Sequence, residues 1–108
     1  MTVTVSIDEF AAARADGSPV VDVREPHEYV DGHVPGARLV PMGELPARAG
    51  ELDRSRPIYV ICASGNRSRA MADLLVRLGF DARSVDGGTS AWKSSGRPVV
   101  TGPRADAA

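Results

Sequence analysis

Cys62 is the only thiol in the 108-residue chain, and its neighbours are the ones a nucleophilic sulfur needs. It ends the apolar run Ile58, Tyr59, Val60, Ile61 and is followed by the small or turn-tolerant Ala63, Ser64, Gly65 and Asn66, then by Arg67 and Ser68. A strand that delivers a cysteine into a short loop opening an amphipathic helix puts the sulfur where unpaired helix N–H groups and their partial positive charge converge. Cysteines in such places have pKa values lowered to roughly 3.5–7.5, so a thiolate forms without a paired histidine. Loop amides curling inward make an anion nest, and Gly65 permits the sharpest bend. Arg67 adds charge-assisted donors for an oxyanion, and Ser68 a hydroxyl at the base of the loop. Strand context alone favours a blander use of Cys62, as a small core hydrophobe. Strand, cysteine, glycine-containing loop and arginine together form one geometric device and tip the balance toward chemistry. A thiol sealed among apolar side chains, with the loop amides turned elsewhere, would contradict this reading.

Other polar residues attract attention with less force. Asp22 and Arg24 end a β-branched run and are placed to support a pocket, although a structural ion pair explains them equally well. His33 lies between Gly32 and Pro35, and with His27 as the only other histidine a metal site or a Cys-His dyad is disfavoured; no metal and no cofactor is expected. His27 sits among charged residues and reads as solvated. Trp92 reads as core, Gly87 and Gly88 as a tight turn, and Arg69 as either an exposed helix residue or a contributor to positive potential near the loop.

Positioning these residues falls to a single small domain, since 108 residues suffice for one core but not for two. Ser6 and Glu9 form a capping-box pattern ahead of a short helix through Phe10. Residues 20–23 read as a strand buried on both faces, and Pro26 opens another short helix. Residues 37–40 read as a strand, 42–52 as a loose helix weakened by Pro46 and Gly50, and 58–62 as the strongest strand. Residues 67–78 read as a helix with Met71, Leu74, Leu75 and Leu78 on its apolar face, terminated by Gly79. A strand at 82–85 and a helix at 89–94 complete the pattern. Alternating strands and helices indicate an α/β domain with a mainly parallel sheet over residues 1–100. The Gly, Pro, Ala and polar residues of 101–108 are expected to form a disordered tail.

A net charge of −1 supplies no electrostatic footprint for nucleic acid or an anionic membrane. The longest apolar run is far below the roughly 20 residues a spanning helix needs, and the first ten residues, with Asp8 and Glu9, show no export signal. A lone thiol makes no intramolecular disulfide and suits a reducing compartment, so a cytoplasmic location is expected. A disulfide oxidoreductase needs a resolving cysteine, which the chain lacks. Any acceptor for chemistry at Cys62 must therefore come from outside.

The segment from Cys62 to Ser68, reading Cys-Ala-Ser-Gly-Asn-Arg-Ser, resembles the active-site loop of rhodanese-like sulfurtransferases. Two flanking segments resemble that family as well: Val21-Asp22-Val23-Arg24-Glu25-Pro26 with Gly32-His33-Val34-Pro35-Gly36-Ala37, and Gly87-Gly88 with Ala91-Trp92, Gly96 and Pro98. The resemblance implies an α/β rhodanese-like fold, a five-stranded mainly parallel sheet with helices on both faces. It also implies transfer of a sulfane sulfur from a small-molecule donor such as thiosulfate, through a Cys62 persulfide, to cyanide, a thiol or a protein acceptor. A monomer or weak homodimer is expected. Ala63 stands where some thiosulfate-using relatives carry a basic residue, which makes efficient use of thiosulfate an open point. Two rivals remain: a non-catalytic binding or regulatory module on the same fold, and a cysteine phosphatase or arsenate reductase. Phosphatase loops place one residue more between Cys and Arg than the four found here, so the ring suits a sulfur atom better than a phosphate.

Overall fold

The computed structural model describes residues 2–106. In chain order the elements are β1 (Val3–Val5), α1 (Ile7–Ala15), β2 (Val20–Asp22), α2 (Pro26–Val30), β3 (Arg38–Leu39), α3 (Leu45–Arg48), a 3-10 turn (Ala49–Glu51), β4 (Ile58–Ile61), α4 (Asn66–Arg77), β5 (Ala82–Val85) and α5 (Gly88–Ser94). The five strands form one sheet in the order β1-β5-β4-β2-β3, and every neighbouring pair is parallel. Among the described residues no helix is long and apolar enough to cross a membrane.

The central strand shows why both faces of the sheet are covered. Successive side chains on a strand point to opposite faces. In β4, Ile58 and Val60, followed by Cys62, join a cluster with Leu45, Ala72, Leu75 and Phe80 on the α3 and α4 side. Tyr59 and Ile61 join Phe10, Val85 and Trp92 on the α1 and α5 side. Both sets are apolar because both faces carry helices, so the sequence reads as an unbroken hydrophobic run instead of an alternation. Ser6 caps α1 as its spacing predicts: its Oγ accepts from the Glu9 N–H at 3.1 Å, and its own N–H donates to Glu9 Oε1.

Several elements differ from the reading of the sequence. β1 was not anticipated, because three residues are too few to register a period; its partner β5, in register Val3 with Arg83, holds it in the sheet. The stretch 42–52 is a one-turn helix carrying Pro46, then a 3-10 turn. In α4 the face toward the sheet is Ser68, Ala72 and Leu75, whereas Leu78 caps the helix and is 41% exposed. Small residues at 68 and 72 let α4 lie close to the strand that carries Cys62.

Beyond Val100 the described residues are hydrogen-bonded to the domain. His33 and Val100 exchange backbone hydrogen bonds, the Gly102 N–H donates to Val30 O, and the Gly36 N–H donates to Ala105 O. The buried His33 ring stacks on Tyr29 and places Nδ1 2.9 Å from Tyr29 O and Nε2 2.8 Å from Arg104 O. Residues up to 106 thus complete the polar partners of a core histidine; 107 and 108 lie outside the described residues.

Candidate active site

The connection after β2 leads outward to β3, while the one after β4 leads the opposite way to β5. The carboxyl ends of β2 and β4 therefore flank the sheet's topological switch point, where α/β proteins open a crevice. Cys62 follows β4 there, and Arg24 follows β2. A cleft of about 250 Å³ at this place is lined by Arg24, Glu28, Asp31, Ala63, Thr89, Ser90 and Lys93. A slightly larger one, about 280 Å³, lies at the amino end of β2 beside Pro19 and Pro35 and touches none of these groups.

Gly65 is the residue on which the loop turns. Its φ of 114° lies in the left-handed region that side chains avoid, and it occupies the N-cap of α4 without a side-chain cap. Having no side chain in the way, the loop folds back so that the Gly65 N–H donates to Cys62 Sγ at 3.0 Å. Ser68, on the first turn of α4, sits 3.5 Å from the sulfur, and its hydroxyl also meets Gly65 O at 3.1 Å and Ser84 Oγ at 2.8 Å. Cys62 is 1% exposed, yet polar groups surround its sulfur. Burial pushes the thiol pKa up. The Ser68 hydroxyl and the amides of Ser68, Gly65 and Ser64 act in the other direction and together hold it below the ordinary thiol value. The sulfur thus belongs to the core on one side and to an anion nest on the other.

Asp22 and Arg24 form a buried structural pair. The Arg24 guanidinium donates to both Asp22 oxygens, to Gly32 O at 3.0 Å and to Glu28 O at 3.3 Å. Arg24 still lines the cleft, but its charge is paired with Asp22 and most of its donors are bound to the protein itself. Arg67 departs further from expectation. It stands at the loop, and Glu28 takes both of its terminal nitrogens, at 2.7 and 2.8 Å. That bond, helped by the Glu25 N–H and the charges of Arg67 and Arg24 and opposed by burial, draws the Glu28 carboxyl down to about 2. The Arg67 cation is stabilised first by Glu28 and, more weakly, by the negative sulfur of Cys62. Asn66 Oδ1 accepts from Arg69 at the exposed edge of the helix, away from the sulfur.

Sequence reasoning missed the contribution of α5. The Thr89 N–H and hydroxyl both donate to Cys62 O, at 2.8 and 3.1 Å, and the Ser90 N–H donates to Ala63 O at 3.0 Å. Gly88 makes this docking possible: a Cβ there would lie 2.4 Å from Cys62 O. Of the glycine pair, Gly87 lies in the turn and Gly88 opens α5, where it is a point of close backbone approach. Glu28 was missed too, because no spacing rule links it to Arg67 across the sheet. His33, His27 and Trp92 lie in the structural, exposed and core positions read for them. Among the described residues no group of three or more His, Cys, Asp or Glu side chains could hold a metal ion.

Fold and loop together define a parallel α/β domain built around a cysteine held in an anion nest at the sheet's switch point. The rhodanese-like domain model matches residues 6–95, and the chain belongs to that family. It is 36% identical over 92 residues to the thiosulfate sulfurtransferase GlpE of Pseudomonas entomophila, covering 84% of each chain. The GlpE thiosulfate sulfurtransferase of Stutzerimonas stutzeri is 36% identical over 87 residues, 80% of each chain. Among solved structures, a rhodanese-related protein from Thermoplasma volcanium superposes with a TM-score of 0.86 at 34% identity, covering 91% of this chain and 97% of that one.

Proposed function

We propose that the protein is a thiosulfate sulfurtransferase that carries sulfur as a persulfide on Cys62. The observation that carries this reading is the set of donors around Sγ: the Gly65 amide at 3.0 Å, with the Ser64 and Ser68 groups that also favour the ionised sulfur. Preorganised donors of this kind cost no reorganisation when charge arrives, and they serve a terminal persulfide anion as well as a thiolate. Membership of the family and the activity named for the GlpE relatives support the same conclusion.

In the first step the Cys62 thiolate attacks the outer sulfur of thiosulfate. A new S–S bond forms to Sγ, the bond to the sulfonate sulfur breaks, and its electron pair leaves with sulfite. In the second, cyanide or a thiolate attacks the terminal sulfur of the persulfide, and the electron pair of the broken bond returns to Sγ as thiolate. Both steps are redox-neutral overall and need no cofactor. With one cysteine in the chain, the acceptor is external, either a small molecule or a protein thiol. A reducing cytoplasm suits such a thiol, and the reading requires no more than a monomer.

Cys62→Ser tests it. The variant should form no thiocyanate from thiosulfate and cyanide while keeping the circular dichroism of the wild type. Intact mass after exposure to thiosulfate should rise by one sulfur atom in the wild type alone. Wild-type turnover by the serine variant would refute the assignment.

A further inference from the structure

Ala63 gives the loop no cation of its own, and both arginines near the sulfur are already engaged. Arg67 gives its two terminal nitrogens to Glu28, and Arg24 is spent on Asp22, Glu28 O and Gly32 O. Both guanidinium charges are therefore already paired with a carboxylate, and Arg67 does not line the cleft. Lys93, the only lysine in the chain, lines the same cleft as Ala63 and Arg24. It lies four residues after Thr89 and three after Ser90, so α5 presents it on the face that docks on the Cys62 loop. Its ammonium is close to Gly32, whose carbonyl accepts from Arg24: a Cβ built on Gly32 would be 3.3 Å from Lys93 Nζ. Among the described residues no carboxylate forms an ion pair with it.

We propose that Lys93 holds the sulfonate oxygens of the incoming donor, supplying from α5 the positive charge that position 63 lacks. The proposal rests on the thiosulfate reading above and names the residue that recognises the donor. An ammonium without an ion-pair partner, three donors strong and beside an already neutralised guanidinium, is the group in this cleft with charge to offer an oxyanion. The exposed Asp31 carboxylate lines the same cleft and opposes an anion there, so the site should favour a weakly held, quickly exchanged ligand.

Thiosulfate binding to the Cys62→Ser protein isolates recognition from turnover. With the lysine reductively methylated using ¹³C-formaldehyde, which keeps its charge, the chain yields one side-chain ammonium signal besides the N-terminus, assigned by its loss in Lys93→Arg. Titration with thiosulfate should shift that signal. Lys93→Ala should weaken binding about tenfold, Lys93→Arg should retain most of it, and Asp31→Asn should tighten it. An unmoved signal, equal affinity in Lys93→Ala, or no thiosulfate binding at all would overturn the proposal. If binding depends on Lys93 while wild-type protein forms no thiocyanate, the catalytic reading fails and the anion site stands.

Discussion

Glu28→Gln tests whether the ion pair across the loop has the energy that its geometry suggests. The substitution removes the charge and one acceptor: the glutamine Oε1 can still accept from the Glu25 N–H, as Glu28 Oε1 does at 3.0 Å, but its amide nitrogen cannot accept from Arg67 as Oε2 does. A carboxyl lowered from 4.5 to about 2 corresponds at face value to about 3 kcal/mol. Both side chains keep some contact with water, 25% exposed for Glu28 and 32% for Arg67, so screening leaves about 1–2 kcal/mol. For a chain of this length that is a fall in Tm of about 5–10 °C at pH 7.

The pH dependence carries the sharper test. Because the folded carboxyl has the lower pKa, its stabilisation is complete above the unfolded value and is lost as pH falls toward about 2. Urea unfolding followed by the fluorescence of the single tryptophan, Trp92, should therefore give a wild-type advantage at pH 7. That advantage should shrink below about pH 4.5 and vanish near pH 2. A gap that persists unchanged to pH 2, or no gap at pH 7, would refute the pairing as the source. The released Arg67 guanidinium should also tighten thiosulfate binding, since its donors are no longer held by a carboxylate.

Ser68→Ala removes a hydroxyl partner of the sulfur that lowers the thiol pKa, so the pH profile of Cys62 alkylation should move to higher pH, with activity lost near neutrality and regained in alkali. The same change strands the buried Ser84 hydroxyl and should cost about 1–3 kcal/mol in urea unfolding. Gly88→Ala places a Cβ 2.4 Å from Cys62 O and should cost about 3 kcal/mol or more, with loss of sulfur loading; full activity would show that α5 need not dock on the loop. Truncation after Val100 removes the carbonyls of Arg104 and Ala105 that face His33 and should lower stability by about 1–3 kcal/mol, whereas an unchanged Tm would mean the tail contributes nothing.

What could be read from residues alone follows a physical line. β4 and α4 were legible because each satisfies its own rule, an unbroken apolar run in one and a 3.6-residue period in the other. The loop between them was legible because its residues are neighbours in the chain. β1 was not, since a three-residue strand exists only through its pairing with β5. Leu78 misled because a leucine at the right spacing can still fall on the cap, beyond the last turn that meets the sheet.

The same division runs through the site. Cys62, Gly65 and Ser68 act on one another within seven residues, so composition and order suffice to place them. Glu28, Thr89 and Lys93 reach that loop from two other elements, 27 to 39 residues away in the known contacts, and only the strand order β1-β5-β4-β2-β3 brings them to it. Their consequence is chemical: Glu28 pairs with the charge of Arg67, and α5 brings Lys93 to the cleft. The local loop stabilises a sulfur anion, whereas on the proposal above the non-local carboxylate and helix set which donor can approach it. Relatives with an identical loop but different residues at 28 and 93 should therefore share the transfer chemistry and differ in donor preference.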